Sequence, residues 1–231
     1  MADKKLTLAF DGPSSSGKST LAKDVARKLG YRYVDTGAMY RAVTLFALRN
    51  GLIRNQKIDT QTLAEKLGQI QIDFRVEPGT FSSRTLLNGL DVEREIRSAE
   101  VADWVSPVAA LDFVRTYLVR QQQQMGSKGG VVMDGRDIGS VVLPDADYKF
   151  FVTAPDEVRA QRRYLELKEK GYETTREEVL QNLKKRDHID STREVTPLVQ
   201  TPDAILLDNA ELDRKEQLNF VLKRIGHANY D

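Results

Sequence analysis

Residues 12–19 limit this chain to a small group of folds. They read Gly-Pro-Ser-Ser-Ser-Gly-Lys-Ser, which matches the pattern G-x-x-x-x-G-K-S. An apolar run over residues 6–10 precedes them, and a helical pattern with Leu21, Val25 and Leu29 follows. A loop of this kind between a strand and a helix directs successive backbone N–H groups at an anion. The stretch therefore predicts a binding site for a nucleoside triphosphate.

The residue types within this phosphate loop (residues 12–19) explain their spacing. Gly12 and Gly17 permit tight turns, and Lys18 supplies a positive charge near the β- and γ-phosphates. The hydroxyl of Ser19 is placed to bind a Mg²⁺ ion carried by the nucleotide. The alternative is a Gly/Ser-rich turn that holds a lysine by chance, and the flanking strand and helix argue against it. The expected donor-binding residues are Gly12, Pro13, Ser14, Ser15, Ser16, Gly17, Lys18, Ser19 and Thr20.

Size and charge bound the remaining possibilities. The chain has 231 residues, 40% of them hydrophobic, so we expect one large α/β domain that carries two mobile inserts. Its 35 basic and 34 acidic side chains nearly cancel, which argues against nucleic acid or a membrane surface as a partner. Without cysteine the chain forms neither disulfides nor thiolate metal sites. The apolar run near the N-terminus is too short for a signal or a membrane span, so we expect a cytoplasmic protein.

Five apolar stretches alternate with helical patterns and predict an open sheet of parallel strands. These stretches are residues 6–10, 31–34, 131–134, 148–152 and 204–207. Polar motifs follow the second and third stretches, namely residues 35–41 (Asp-Thr-Gly-Ala-Met-Tyr-Arg) and residues 135–137 (Gly-Arg-Asp). Both lie at the carboxyl edge of the sheet, where open α/β sheets bind ligands. We expect Asp35 or Thr36 to cap the next helix and Arg41 to lie in its first turn, where a cation opposes the helix dipole and suggests an anionic partner.

Residues 58–97 predict a small antiparallel insert. A helical segment is followed by alternating stretches near residues 70–77 and 83–88. Pro78-Gly79 and Asn88-Gly89 supply the turns, and Asn-Gly between short strands is a strong hairpin signal. We expect this insert to have its own minor core.

The next helical pattern spans residues 98–125. We expect it to be interrupted at Ser106-Pro107, because serine is a preferred N-cap and proline suits the first position of a new helix. Leu111, Val114 and Leu118 then form the apolar face of the second helix.

Residues 154–194 are the most charged part of the chain and predict two helices, the first opening at Pro155. Arg159, Arg162 and Arg163 fall on one face of that helix. Two solvated helices are the ordinary interpretation, but the segment lies where a lid would close over the phosphate loop. A lid rich in arginine suits phosphoryl transfer, which depends on positioning, positive charge and the exclusion of water. The expected core around the insert and the lid comprises residues 1–57, 98–153 and 195–231.

Several motifs together resemble those of the bacterial cytidylate kinases. They are Asp11-Gly12-Pro13 with Gly17-Lys18-Ser19, residues 35–41, Asp134-Gly135-Arg136-Asp137-Ile138-Gly139, and Arg186-Asp187. The resemblance covers nearly the whole chain and implies a three-layer P-loop NTPase fold. It implies a five-stranded parallel sheet in the order 2-3-1-4-5, a small antiparallel insert and a helical lid. It also implies transfer of the γ-phosphate of ATP to CMP or dCMP. We expect Mg²⁺ to accompany the ATP, and we expect a monomer.

The same resemblance implies roles for individual residues. Arg41 and Arg136 hold the acceptor phosphate, and guanidinium groups suit this role because they bind phosphate oxygens in pairs. Thr36 and Tyr40 line that part of the site. The residues implied around cytosine are Ser106, Arg115, Asp137 and Arg193, and those near the sugar are Arg186 and Asp190. The residues implied to stabilise charge during transfer are Lys18, Arg136, Arg162, Arg163 and Arg186.

Two other functions are compatible with the phosphate loop. One is a small-molecule kinase of the same fold class that acts on a different monophosphate or on a sugar acid such as shikimate. The other is a binding module regulated by a nucleotide, which would hydrolyse slowly, transfer no phosphate and bind a macromolecule. The nearly neutral net charge and the arginine-rich lid argue against RNA binding as the main role.

Overall fold

A computed structural model describes residues 5–76, 83–169 and 171–227 of the chain. The chain divides into two compact units. The first comprises Met1–Tyr33 and Gly126–Asp231, and the second comprises Val34–Met125. Among the described residues, no helix has both the length and the apolar character needed to cross a membrane.

The helices and strands alternate along the chain as an α/β protein requires. In order they are β1 (Thr7–Asp11), α1 (Lys18–Leu29), β2 (Arg32–Asp35), α2 (Thr36–Arg49), β3 (Ile53–Arg54), β4 (Lys57–Ile58), α3 (Thr60–Lys66), β5 (Ile72–Val76), β6 (Ser83–Leu87), β7 (Leu90–Asp91), α4 (Ala99–Ala109), α5 (Asp112–Gly126), β8 (Val131–Gly135), β9 (Tyr148–Thr153), α6 (Asp156–Glu169), α7 (Arg176–Thr192), β10 (Ile205–Asp208) and α8 (Arg214–Arg224). A short 3-10 turn occupies Glu95–Arg97, and a single π-helical turn occupies Ile138–Val142.

The first unit is built on a five-stranded sheet in the order β10-β9-β1-β8-β2. Strand β1 is parallel to β8 on one side and to β9 on the other, and β9 is parallel to β10. Numbered among themselves along the chain, the five strands have the order 2-3-1-4-5, so the predicted fold is confirmed. Phe10 on the central strand β1 and Phe150 on its neighbour β9 stack at 5.0 Å between ring centroids. This buried layer places the carboxyl ends of β1, β8 and β9 side by side.

The two helices predicted for residues 154–194 are α6 and α7. They pack against each other through a small cluster that includes Ala160, Val179 and Leu183. The Thr175 side chain caps α7 by accepting from the Glu178 backbone N–H. The Glu178 carboxylate in turn accepts from the Thr175 backbone N–H, and the two bonds form a capping box. The predicted pair of helices is therefore present, with its own apolar contact.

The second unit has a core of helices and an antiparallel sheet. The apolar faces of α2, α4 and α5 share one buried cluster, which also takes in residues of the β5-β6-β7 sheet. Asn88 and Gly89 have φ angles of 51° and 80°, so the predicted turn between β6 and β7 is present. A further hairpin, β3-β4, has Asn55 and Gln56 in its turn and was not expected from the sequence. The predicted turn at Pro78-Gly79 lies outside the described residues.

The predicted helix break at Ser106-Pro107 is wrong. Both residues lie inside α4, which runs to Ala109, and the chain leaves the helix at the two residues before α5. Val105 and Val108 flank Pro107, and both are buried in the core of the second unit. This burial on both sides of the proline favours a continuous helix over the local preference for a new start.

The predicted position of Arg41 is also wrong by one turn. Helix α2 begins at Thr36, directly after β2, so Arg41 is its sixth residue and lies in the second turn. Asp35 is the N-cap and accepts a hydrogen bond from the backbone N–H of Ala38 at 2.9 Å. The helix dipole acts mainly on the first turn, so it gives no reason to expect an anion at Arg41.

Candidate active site

The backbone of the phosphate loop has the conformation that its glycines allow. Gly12 and Gly17 have φ angles of 148° and 88°, and Ser15 also has a positive φ of 59°. A Cβ atom on Gly12 would overlap the carbonyl oxygen of Val152, and one on Gly17 would overlap the Asn209 side chain. Both positions therefore need glycine for their φ angle and for the close approach of neighbouring groups.

Side chains from distant parts of the first unit hold the phosphate loop in place. Arg136 donates from Nη2 to Ser14 Oγ at 2.7 Å, and Arg159 donates from Nη1 to the Ser14 carbonyl oxygen at 3.0 Å. The Nδ2 of Asn209 donates to the carbonyl oxygen of Ser16 at 2.7 Å. Lys18 is buried and its Nζ lies 3.0 Å from the Pro13 carbonyl oxygen. The lysine charge is thus held within the loop that the sequence predicts for phosphate.

Ser19 lies beside a buried carboxylate at the end of β8. Its hydroxyl donates to Asp134 Oδ2 at 2.5 Å, and the hydroxyl of Tyr33 donates to Asp134 Oδ1 at 2.5 Å. A serine hydroxyl and an aspartate are hard oxygen donors of the kind that Mg²⁺ binds. The donor atoms of this pair therefore suit a magnesium ion.

A cluster of charges lies beside the phosphate loop in the first unit. Arg136 donates from Nε to Asp190 Oδ2 at 2.7 Å. Arg193 lies 4.0 Å from the other oxygen of Asp190 and 3.9 Å from Asp137 Oδ1. Although burial opposes the change, Arg136 lowers the pKa of Asp190, which keeps this carboxylate charged. The structure thus brings together four of the residues predicted to bind the acceptor.

Arg186 adds positive charge to this cluster. Its Nε is shielded from solvent and has no hydrogen-bond partner among the described residues. Burial and the neighbouring charge of Arg136 lower the pKa of Arg186 to about 10, so its guanidinium remains charged at neutral pH. A shielded guanidinium next to a second arginine favours the binding of an anion.

The three arginines predicted on one face of α6 have different partners. Arg159 is buried and forms ion pairs with Asp187 at 2.6 Å and Asp156 at 2.5 Å. Arg162 donates from Nη2 to the backbone oxygen of Asn209 at 2.7 Å. Its Nη1 is buried and has no hydrogen-bond partner among the described residues. The remaining predicted lid residue, Arg163, pairs with Glu166 at 2.8 Å. Arg159 therefore supports the loop, whereas Arg162 has one buried donor that the described residues leave unused.

The second unit contains the other predicted acceptor residues. The guanidinium of Arg115 lies 5.4 Å from the centre of the Tyr40 ring, and Arg115 Nη1 donates to the Ala109 carbonyl oxygen at 3.1 Å. Arg41 donates from Nη1 to the carbonyl oxygen of Ile96 at 3.2 Å. The predicted residues Thr36 and Ser106 are buried on α2 and α4. Tyr40 and Arg115 thus form a contact pair, as cation and aromatic face.

Sequence reasoning missed three residues that shape the site. Asn209 follows β10 with no motif of its own, and only the tertiary contact with Ser16 identifies it. The sequence indicates the charge of Arg159 but gives no sign of its bond to Ser14. The carboxylate of Asp11 accepts hydrogen bonds from the backbone N–H groups of Ile138 and Gly139, both at 2.7 Å. Burial raises the pKa of Asp11 to about 6. Its position within the recognised motif was the only signal in the sequence.

Comparisons with known proteins identify one family. The cytidylate kinase family model matches residues 8–227. The cytidylate kinase of Bacteroides fragilis is 56% identical over 225 residues, which cover 97% of this chain and 98% of that protein. That of Porphyromonas gingivalis is 53% identical over 220 residues and covers 95% of each chain.

A likeness of fold alone extends to an uncharacterized protein from Eubacterium ventriosum. Its crystal structure aligns with 96% of this chain and 99% of its own at a TM-score of 0.50 and 11% identity. The curated relatives are far more similar in sequence, and they match over nearly their full length. By the extent and the identity of these matches, the chain belongs to the cytidylate kinase family.

Proposed function

We infer that this protein transfers the γ-phosphate of ATP to CMP or dCMP and releases ADP with CDP or dCDP. One contact supports this inference most directly. Arg136, which we assign to the acceptor phosphate, donates a hydrogen bond to Ser14 of the phosphate loop at 2.7 Å. A transferase needs its donor and acceptor phosphates side by side, because holding two reactants in line removes most of the entropic barrier.

The reaction requires no general base from the protein. The acceptor is itself a phosphate, and its oxygens are nucleophilic at neutral pH. We propose that Lys18, Arg162, Arg163 and Arg186 supply positive charge as negative charge develops on the transferred group. The buried Nη1 of Arg162 gives this residue a donor that the described residues leave unused. Its bond to Asn209 orients the guanidinium before any nucleotide binds.

ATP and Mg²⁺ are the proposed cofactors. We assign the triphosphate to residues 12–20 and the metal to Ser19, with Asp134 beside it. When bound at Ser19, Mg²⁺ would offset part of the triphosphate charge. The chain's own contribution is to hold the Ser19 hydroxyl through Asp134, whose second oxygen is occupied by Tyr33.

The acceptor residues are proposed unit by unit. In the first unit we assign Arg136 to the acceptor phosphate and Asp137 and Arg193 to the base. The sugar is assigned to Arg186 and Asp190. In the second unit, the residues assigned to the acceptor are Thr36, Tyr40, Arg41, Ser106 and Arg115. We also propose that residues 58–97 form an insert and that residues 154–194 form a lid. A monomeric state and a cytoplasmic location are proposed as well.

A panel of acceptors tests the function. The purified protein is supplied with ATP and Mg²⁺ and with CMP, dCMP, UMP, AMP or shikimate, and ADP formation is measured at steady state. We expect CMP and dCMP to give the highest kcat/KM. A higher value for UMP, AMP or shikimate would reject the proposed acceptor, and hydrolysis without transfer would reject the kinase.

The variant Asp137→Asn tests base recognition. A carboxylate accepts from the 4-amino group of cytosine and repels the carbonyl that uracil has there, whereas an amide can satisfy either base. We expect the ratio of kcat/KM for CMP to that for UMP to fall about tenfold or more. Asp145→Asn, an exposed residue in the next loop, is the control. An unchanged ratio in Asp137→Asn would remove this residue from base recognition.

A further inference from the structure

Arg97 joins two carboxylates in the second unit. It ends the short turn Glu95–Arg97. Its Nη2 lies 2.7 Å from Asp35 Oδ2 and 3.0 Å from Glu93 Oε1, and its Nε donates to the same Glu93 oxygen at 3.2 Å. The two carboxylates raise the pKa of Arg97, although burial opposes this. One guanidinium thus forms an ion pair with each of two carboxylates.

Each carboxylate uses its second oxygen to hold backbone. Asp35 Oδ1 caps α2 by accepting from the Ala38 N–H at 2.9 Å. Glu93 Oε2 accepts from the N–H of Thr85 at 3.1 Å and from its hydroxyl at 2.7 Å. Thr85 is a buried residue of β6, the central strand of the antiparallel sheet. Through Arg97, the sheet of the insert is therefore connected to the first turn of α2.

The same turn also positions Arg41. The carbonyl oxygen of Ile96, the residue before Arg97, accepts a hydrogen bond from Arg41 Nη1 at 3.2 Å. Ile96 is completely buried in the core of this unit, so its carbonyl has a defined place. A displacement of the turn would therefore move the ion-pair partner of the α2 cap, Asp35, and the hydrogen-bond partner of Arg41.

A second ion pair also joins α2 to the turn Glu95–Arg97, but its side chains are exposed. Arg49, at the end of α2, pairs with Glu95 at 2.6 Å, and the side chains are 39% and 52% exposed. In the Arg97–Asp35 pair, the carboxylate is only 11% exposed. Exposed pairs contribute little to stability, whereas a shielded carboxylate that loses its partner is costly. Loss of the Arg97–Asp35 pair should therefore be more costly than loss of the Arg49–Glu95 pair.

We propose that Arg97 is a positioning residue for the acceptor phosphate. It holds the first turn of α2 and Arg41 in the arrangement that binds the phosphate of the acceptor nucleotide. The proposal rests on the proposed function, and it assigns to Arg97 no contact with the substrate. It makes the insert part of the acceptor site through a chain of hydrogen bonds from Thr85 to Ala38.

Steady-state kinetics of Arg97→Gln, Arg97→Lys and Arg49→Gln test the proposal. At saturating ATP we expect Arg97→Gln to raise the KM for CMP about tenfold, and the KM for ATP to change less than about twofold. Arg97→Lys should give an intermediate value, because lysine keeps the charge but lacks the fork that meets two carboxylates. Arg49→Gln should match the wild type in both constants.

Equilibrium binding of CMP, measured by calorimetry without ATP, provides a second readout. It should weaken by the same factor as the KM rises. If Arg97→Gln does not fold, as judged by circular dichroism, the CMP affinity of Arg97→Lys decides the question. An unchanged affinity for CMP, or an equal rise in both KM values, would overturn the proposal.

A double variant tests whether Arg97 affects CMP binding through Arg41 or independently of it. If Arg97 acts through Arg41, Arg41→Ala with Arg97→Gln should bind CMP as weakly as Arg41→Ala alone. Effects that multiply would contradict this mechanism. Failure of the wild type to phosphorylate CMP would instead contradict the proposed function, so the two failures remain distinguishable.

Discussion

The phosphate loop and the first turn of α2 reach defined shapes by different means. The loop depends on Gly12 and Gly17, whose positive φ angles are a property of the residues themselves. The first turn of α2 is an ordinary helix start with an aspartate cap. Its special feature is that the cap, Asp35, pairs with Arg97, which lies 62 residues after it in the chain. A site built from local backbone is visible in the sequence, whereas one held by distant side chains is not.

The contrast is one of degree, because the loop also has distant supports. Arg136 and Asn209 contact it from 122 and 193 residues away. These contacts hold a loop whose turns are already determined by its glycines. In α2, by comparison, the distant residue neutralises the cap itself. The comparison predicts that single changes in the loop affect turnover most and that changes around α2 affect acceptor binding.

The largest effect is expected for Lys18→Ala. The positive charge of Lys18 should stabilise the transition state of phosphoryl transfer more than the bound substrates. In Lys18→Ala, kcat should therefore fall by about a thousandfold while the KM for CMP changes less than about threefold. Lys28→Ala, an exposed lysine at the other end of α1, should behave as the wild type. A kcat for Lys18→Ala within tenfold of the wild type would break the assignment of the loop to transfer.

A smaller effect is expected when Arg136→Ala and Arg41→Ala are compared. Each loss of a charged phosphate ligand should raise the KM for CMP by about ten- to a hundredfold. Arg136 also contacts Ser14, so Arg136→Ala should raise the KM for ATP as well. Arg41 donates to Ile96 and is assigned to the acceptor alone, so Arg41→Ala should leave the KM for ATP nearly unchanged. Identical changes in both constants for both variants would contradict the distinction between the two regions.

The smallest effect is expected from Asp11, and it concerns stability. Burial raises the pKa of this carboxyl to about 6, so the folded protein retains a proton that the unfolded chain has already lost. The contribution of Asp11 to the free energy of unfolding should therefore fall as pH rises from about 4 to about 6, and stay constant above that. Carbon NMR of the Asp11 carboxyl should show a midpoint near 6, assigned by its absence in Asp11→Asn. A midpoint near 4 would contradict this.

Local patterns predicted the fold well and failed where packing overrode them. The five parallel strands and the Asn88-Gly89 turn follow from periodicity and turn chemistry. The prediction at Pro107 fails because the local preference of proline for a helix start is weaker than the burial of the neighbouring residues. Arg41 lies one turn further into α2 than predicted, because α2 starts immediately after β2 with no intervening loop.

The same distinction between local patterns and tertiary packing separates the site residues that could be predicted from those that could not. Lys18, Ser19 and the polar motifs after β2 and β8 were predictable, because their chemistry depends on residue type and on spacing within a few residues. The bonds of Arg159 to Ser14, of Asn209 to Ser16 and of Arg97 to Asp35 were not. Each joins residues that no short pattern relates, and only the folding of the chain into packed layers brings them within hydrogen-bond distance. The amino-acid order thus specified the chemical groups, and the tertiary structure decided which of them hold the others in place.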